Sequence, residues 1–388
     1  MWQREPSSYL LRTTMISRAD LERLMNREGG DRQILSVFLD MSVNSDNKRT
    51  HHVFLNQKRS QYDELDSDRQ NHHNVAIGEA FARIEQWLAD SFNEENRGVV
   101  LYLEIGGPWL EALQFPVTVQ NRFVVGEKPV IAPLAQVLES YHHHGVVLLD
   151  REHVRILSVY LGTLLDEIDI ELEPLPTRHD VQAGGYSQSR FQRRKLEEMR
   201  TFFREFAKET EDFVARYRPD DLVILGTEEN VAKFREFLPE RLRKMVVYTG
   251  AMRVDQPASE ILAGIAPHLE AERDRESMEV LDQIRDRVNQ DYLATAGFQS
   301  TLTALQEGKV DTLIIAQDQD REGARCTQCG FIFAREVESC PYDGAGTTTG
   351  VNVVEEAIRM AETQGADVAF VSATAVQDLR GVGALLRF

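Results

Sequence analysis

The chain has 388 residues, 42% of them hydrophobic and 28% charged, with 44 basic against 63 acidic side chains and a formal net charge of −19. At roughly 100–200 residues per domain this length divides into two or three domains with their own cores, and the composition excludes a fibrous repeat and wholesale disorder. The negative balance opposes sequence-blind adhesion to nucleic acid or to an anionic membrane, so a nucleic-acid contact has to be a local basic patch. No run approaches the ~20 apolar residues of a membrane span, and Met1 to Met15 lacks the apolar centre of a secretory signal. A cytoplasmic protein without a membrane partner is the expectation.

In chain order, Ile34 to Leu39 reads as a buried strand ending at Asp40, followed by the polar loop Asn44 to Arg49. Polar helical sequence runs through Leu88, Val99 to Leu103 is a second strand, Arg122 to Val125 a third, and Pro133 opens a helix reaching Ser140. Gly145 to Asp150 and Val154 to Val159 predict a hairpin. After the Gly184-Gly185 pair, Leu196, Met199, Phe203 and Phe206 step by three, four and three, the stripe of a helix packed on a sheet. Leu222 to Leu225 is a short, wholly apolar strand, and Thr227 with Glu228 and Glu229 is a strong helix start. From Gln256 a charge-rich helical run follows. Leu313 to Ala316 and Val368 to Val371 predict strands, and Val351 to Gln364 an amphipathic helix with Val354, Ala357, Ile358 and Ala361 on one face. The domains expected are 1–140, 141–255 and 256–388, with an insertion at 322–348.

The segment Gly184-Gly185-Tyr186-Ser187-Gln188-Ser189-Arg190-Phe191-Gln192-Arg193-Arg194-Lys195 holds four basic residues and no acid. Paired glycines let the backbone approach another molecule closely. Arg190, Arg193 and Arg194 share one helical face on which successive phosphates could be met. A solvated loop ahead of an ordinary charged helix is the bland alternative. Lys48 and Arg49, after the first strand, could likewise touch RNA, although a solvated loop is the default there.

Only three cysteines occur, in Cys326-Thr327-Gln328-Cys329-Gly330 and Cys340-Pro341-Tyr342-Asp343-Gly344. Two turns of this kind normally supply four zinc ligands, and Asp343 stands where the fourth cysteine is expected, so Cys326, Cys329, Cys340 and Asp343 form a candidate Cys₃Asp site for Zn²⁺. The alternative is a ribbon without metal, held by its own core around Phe331 and Ile332. His142-His143-His144 reads as a solvated turn, since consecutive side chains diverge. His51-His52 and His72-His73, in polar helical sequence, read the same way.

The Gly184 segment resembles the middle domain of the archaeal and eukaryotic class 1 peptide release factors and of Pelota, in which Gly-Gly-Gln precedes Ser-x-x-Arg-Phe-x-Arg. Gly184, Gly185, Ser187, Arg190, Phe191 and Arg193 or Arg194 match, while Tyr186 takes the place of the glutamine. Leu222 to Gly226, Thr301 to Ile315 and the ending Gly381 to Phe388 follow in family order, so the likeness covers about residues 142 to 388. The N-terminal domain has neither the Asn-Ile-Lys-Ser signature nor the cysteine-containing codon-reading motif. The resemblance implies a three-domain α/β fold, with an RNase H-like mixed sheet in the middle and an L7Ae-like C-terminal domain carrying a zinc-ribbon-like minidomain.

It also implies a monomeric factor in the ribosomal A site, touching rRNA and the P-site tRNA and working with a translational GTPase such as EF-Tu, in rescue or hibernation and without reading stop codons. Gly185-Tyr186-Ser187-Gln188 fits the Gly-x-x-Gln spacing of peptidyl-tRNA hydrolases. In that reading Gln188, on the Gly184-Gly185 backbone, positions water for ester hydrolysis. In the other, similar to the hibernation factor Balon, the loop is catalytically silent and Tyr186 stacks or hydrogen-bonds in the peptidyl-transferase region. A free-standing RNA or protein adaptor is the third alternative.

Overall fold

A computed structural model describes residues 18–27, 29–65, 73–171, 187–317 and 319–388. The chain forms two compact units, Met1–Ser140 with Glu276–Phe388, and Tyr141–Arg275. The architecture is mixed α/β with four sheets among the described residues.

The first unit begins with α1 (Arg18–Met25), β1 (Ile34–Asp40), α2 (His51–Leu65), α3 (His73–Ser91), β2 (Gly98–Glu104), β3 (Leu110–Phe115), β4 (Arg122–Gly126) and α4 (Ala132–Ser140). The strands form an antiparallel sheet in the order β3-β2-β1-β4. β1 and β2 are central and almost wholly buried, so they read as largely apolar runs. Ile77, Phe81 and Ile84 of α3 cover one face of that sheet.

The second unit contains β5 (His144–Leu149), β6 (His153–Tyr160), β7 (Thr163–Glu171), α5 (Ser187–Tyr217), β8 (Asp221–Gly226), α6 (Glu228–Phe237), α7 (Glu240–Lys244), β9 (Val246–Gly250) and the start of α8 (Ala258–Asn289). Its sheet runs β7-β6-β5-β8-β9, with β6 antiparallel to both neighbours and β5, β8 and β9 parallel. Met199, Phe203, Phe206 and Phe213 of α5 are buried against one face, and Ile261 and Ile265 of α8 against the other. A side chain at Gly145 would meet Leu222 Cδ2 at 2.7 Å and Phe213 Cε1 at 3.0 Å, so the absence of a Cβ lets α5 lie close to the β5/β8 pair.

The three histidines are not the solvated turn that local sequence suggests. His143 is 5% exposed, its Nε2 lies 2.8 Å from Ser158 Oγ, and its N–H donates to Asp220 at 2.8 Å. His144 Nδ1 lies 2.5 Å from Asp221 Oδ1. Burial alone would raise the Asp221 carboxyl, but the imidazoles of His142 and His144 outweigh it and hold the carboxyl below its ordinary value. The partner aspartates lie just before and at the start of the neighbouring strand β8, 77 positions away in sequence.

The first unit is completed by β10 (Ala294–Ala296), α9 (Phe298–Gln306), β11 (Val310–Ala316), β12 (Glu322–Cys326), β13 (Ile332–Phe333), β14 (Thr347–Asn352), α10 (Val353–Thr363), β15 (Asp367–Val371) and β16 (Val382–Leu386). One sheet runs β10-β16-β11-β15. β12, β13 and β14 form a separate ribbon inserted between β11 and its parallel neighbour β15. The apolar stripe of α10 is buried at Val354, Ala357, Ile358 and Ala361.

The polar side of α10 joins the two sequence-distant parts of this unit. Glu355 accepts from the Ile131 and Ala132 N–H groups, at 2.7 and 2.9 Å, at the positive end of α4. Arg359 donates to the Met25 carbonyl at the C-terminus of α1 (3.0 Å), to the Pro129 carbonyl (2.6 Å) and to Glu355 (3.0 Å). Each charge thus meets the helix end of opposite sign. Both residues are 8% exposed, and burial pushes the Glu355 carboxyl up although Arg359 pulls the other way. Arg359→Ala leaves a buried, uncompensated carboxylate, and a loss of about 3–5 kcal/mol in denaturant unfolding of the full chain is expected. Glu355→Gln/Arg359→Met is expected to cost less than Arg359→Ala alone.

Candidate functional sites

The basic helix and the glycine pair are placed by the second unit's connectivity. α5 has 31 residues and is about 46 Å long, whereas six-residue β8 spans about 20 Å, so the helix must overhang the sheet. Its C-terminal end is fixed beside the start of β8, where Phe213 packs with Leu222. The overhang is therefore at the N-terminal end, past the carboxyl ends of β5 and β8. β7 also finishes at that end, since Glu171 pairs with His153, the first residue of β6. Both flanks of the segment holding Gly184, Gly185 and Tyr186 thus emerge from one edge of the sheet.

Gly184, Gly185 and Tyr186 themselves lie outside the described residues, as do the side chains of Ser187, Gln188, Arg190, Arg193, Arg194 and Lys195. The backbone of Ser187 and Gln188 opens α5. At the same edge an open cleft of about 560 Å³ is lined by Asp150, Arg151, His153, Glu171, Thr227 and Asn230, among others. Thr227 caps α6 by accepting from the Asn230 N–H, as its sequence predicts. Asp150 accepts from the N–H groups of Glu152 and His153, both at 2.9 Å. The edge is therefore a set of stiffened turns.

At the other RNA candidate, Arg49 donates to the carbonyls of Met41 (3.0 Å) and Glu94 (2.7 Å) and lies over the Phe92 ring. Its guanidinium holds the loop after β1 in shape. Lys48 is exposed.

The ribbon brings Cys326, Cys329, Cys340 and Asp343 together, with their ligand atoms all within 4.8 Å of one another. The two turns repeat one backbone pattern. The Gly330 N–H donates to the Cys326 carbonyl at 3.2 Å, and the Gly344 N–H to the Cys340 carbonyl at 2.9 Å. Cys326 N–H donates to Phe331 O, and Cys340 N–H to Ala345 O, both at 2.8 Å. Gly330 and Gly344 have φ of +76° and +75°, a conformation that favours glycine. Asp343 therefore holds in the second knuckle the place that Cys329 holds in the first.

Their spacing suits a tetrahedral ion. Metal–sulfur bonds of about 2.3 Å set neighbouring sulfurs about 3.7 Å apart, and a carboxylate oxygen about 3.5 Å from a sulfur. Cys329 and Cys340 Sγ are 3.7 Å apart, and Cys326 Sγ lies 3.3 and 3.4 Å from the Asp343 oxygens. Burial raises the Cys326 thiol, but the N–H groups of Cys329 and Gln328 more than offset this and leave it below its usual value. The Phe331 N–H lowers the Cys329 thiol, yet desolvation and the adjacent thiols and carboxylate together push it up to about 12. The Ala345 N–H holds Asp343 at about 2. Such a set of donors, mutually crowded without a cation, is what a divalent ion would relieve.

Residues 129–270 match the model of bacterial archaeo-eukaryotic release factor family 10, and residues 275–388 match eRF1 domain 3. This chain is related to the archaeo-eukaryotic release factors. Peptide chain release factor subunit 1 of Pyrococcus abyssi is 25% identical over 297 residues, covering 67% of this chain and 69% of the relative. That of Thermococcus onnurineus is 26% identical over the same length and shares. A solved structure described as a model of ribosome-bound archaeal Pelota and ABCE1 covers 96% of this chain and 94% of its own at 13% identity, with a TM-score of 0.40. The release-factor match to residues 129–270 contains the Gly184–Lys195 segment, and the match to residues 275–388 contains both knuckles.

Within the release-factor-like C-terminal region, residues that anchor the ribbon escaped the sequence reading. Gln306 of α9 accepts from the Ile332 N–H at 2.7 Å and donates to the Ile332 carbonyl at 3.1 Å, pairing with β13 as a neighbouring strand would. Gln299 accepts from the Ala334 N–H at 3.1 Å, and Arg321 donates to the Ala334 carbonyl at 3.1 Å. Ile332 and Phe333 are buried, whereas Phe331, expected inside, is only half-buried. Two glutamines spaced by seven on a helix are the only local signal for this clamp, and the spacing is common. Gln306→Leu leaves the N–H and carbonyl of Ile332 without partners, and a loss of about 1–3 kcal/mol is expected, with faster amide exchange at residues 332–334 than in α9.

Proposed function

We propose that this protein is a ribosome A-site factor of the release factor and Pelota type, acting in rescue or hibernation rather than in stop-codon reading. The observation that carries the reading is the coincidence of two kinds of signal at one place. The Gly-Gly and Ser-x-x-Arg-Phe pattern lies inside the matched middle region, and its flanks leave one edge of a sheet at the tip of an overhanging helix. The strand order of the second unit, with its second strand antiparallel, supports the RNase H-like reading of the middle domain. The expected division into domains 1–140, 141–255 and 256–388 belongs to this reading, with the first toward the decoding site and the third, L7Ae-like, toward a GTPase such as EF-Tu.

In the catalytic form of the proposal Gln188 positions water at the ester of ribosome-bound peptidyl-tRNA, while the bare backbone of Gly184 and Gly185 permits close approach. Arg190, Arg193, Arg194 and Lys195 face rRNA phosphates, and Tyr186 and Ser187 supply stacking and hydrogen bonds. The net charge of −19 then restricts RNA binding to this local face. Tyr186 at the glutamine position favours a second form, in which the loop occupies the peptidyl-transferase region without hydrolysis. In both forms Zn²⁺ sits between Cys326, Cys329, Cys340 and Asp343, where it fixes the fold of the ribbon and takes no part in chemistry.

The test is co-sedimentation with 70S ribosomes followed by a peptide-release assay on the bound fraction. The full chain is expected to pellet with ribosomes. Replacing Arg190, Arg193 and Arg194 by Glu is expected to weaken pelleting and to reduce its salt dependence by about one unit of log–log slope for each phosphate that is no longer neutralised. Release that falls by about 10²–10³-fold in Gln188→Ala assigns the water-positioning role to that side chain. Binding with no release at any concentration selects silent occupancy, and failure to pellet overturns both forms in favour of a free-standing adaptor.

A second expectation concerns the metal. Purified full chain is expected to hold one zinc ion, absent from Cys326→Ser and Cys340→Ser and held more weakly in Asp343→Ala, as read by elemental analysis. Acidification is expected to release it, because each thiol must be deprotonated to bind.

A further inference from the structure

We propose that the ribbon is a peroxide-sensitive switch in which Cys329 and Cys340 close a disulfide and expel the metal. The proposal rests on the metal reading of the four-residue cluster. In it the two sulfurs from different knuckles are 3.7 Å apart, and all three cysteines are free thiols. Cys329 is exposed, so it is the sulfur that an oxidant reaches first, while Cys326 and Cys340 are buried. Cys326 is also the sulfur held elsewhere. Its Sγ faces both Asp343 oxygens at 3.3 and 3.4 Å and accepts from the N–H groups of Gln328 and Cys329, both at 3.4 Å. Cys340 is left as the resolving thiol.

The chemistry balances with a hydroperoxide as the two-electron oxidant. Cys329 Sγ attacks the O–O bond of hydrogen peroxide, becoming a sulfenic acid and releasing hydroxide, which takes up a proton to form water. Cys340 Sγ then displaces the sulfenic oxygen as a second water, forming the S–S bond. Two sulfurs are oxidised by one electron each, and the peroxide is reduced to two waters. Substitution at the fourth position makes the event decisive. A Cys₄ knuckle pair that loses two sulfurs keeps two thiolates, whereas this one keeps Cys326 and the harder, more readily exchanged Asp343 carboxylate. One thiolate and one carboxylate do not make a closed zinc site.

The consequence reaches the ribbon fold. Phe331, Phe333 and Tyr342 pack around the cluster with ring centroids 4.7–6.3 Å apart, and Tyr342 is 66% exposed. Drawing the knuckles together at Cys329 and Cys340 moves the two turns on which Phe331 and Tyr342 sit. The switch therefore changes the aromatic face that the ribbon presents to solvent.

The experiment uses the full chain loaded with zinc and treated with hydrogen peroxide, with zinc release followed by a chelating dye and the disulfide located by peptide mass mapping. The expected result is loss of two thiols and one zinc ion together, a Cys329–Cys340 linkage, and full zinc re-uptake after dithiothreitol. In Cys340→Ser, which is expected to hold no zinc, a dimedone-trapped sulfenic acid at Cys329 is expected without a disulfide, and in zinc-loaded Asp343→Cys zinc release is expected to slow. A Cys326–Cys329 linkage, oxidation to sulfinic acid without any disulfide, or zinc retained after the disulfide has formed would each overturn the switch. A chain that takes up no zinc before treatment contradicts the metal reading instead. The map of the metal-free protein then still decides whether Cys329 and Cys340 pair.

Discussion

The packing of one long helix on the β5/β8 pair governs what the second unit can do. Phe203, Phe206 and Phe213 are buried on a sheet whose central β5 and β8 strands are less than half the helix length, and Gly145 lets the helix lie close. Fixing the end of α5 near Phe213 leaves its other end free to extend past the sheet. That end begins at Ser187 and Gln188 and continues through four basic residues. A phenylalanine stripe thus decides from which edge of the sheet the N-terminal end of α5 extends.

The first unit solves a different problem, since its two parts are separated by the whole of the second. Glu355 and Arg359 join them by capping helix ends of opposite sign with the matching charge. The ribbon is held to the same body by polar contacts from Gln299, Gln306 and Arg321, and its own interior is small: Cys326, Cys340 and Phe333 with partial cover from Phe331, Val337 and Ala345. So small an interior buries little apolar surface of its own, and the four potential ligand residues of the knuckles lie together beside it.

Much of this was legible in the sequence for reasons that can be named. β1, β2, β5 and β8 are covered on both faces and so appear as apolar runs, the α10 stripe repeats at helical spacing, and the knuckles carry their ligand spacing openly. Of the edge strands, β4 and β15 were legible as short apolar runs, whereas β3 and β7 were not. β3 includes Glu111, Ala112 and Gln114, and β7 carries Asp166, Glu167, Asp169 and Glu171, because one side of each meets solvent. Nor were the buried polar groups. His143 and His144 look like a solvated run until the chain entering β8 brings Asp220 and Asp221, and Glu355 and Arg359 look like an ordinary surface pair on a helix until residues more than 200 positions away supply their partners. The edge of the sheet at which β7 ends and from which α5 overhangs was not legible, because it required the strand pairing of β6 with β7.

Imaging of the full chain bound to 70S ribosomes carrying P-site tRNA tests the central claim most directly. The account predicts the Gly184–Gln188 backbone beside the tRNA CCA end, the N-terminal part of α5 along rRNA, and the ribbon away from the peptidyl-transferase centre. Density that places Gly184 and Gly185 in solvent, or far from the CCA end, contradicts it.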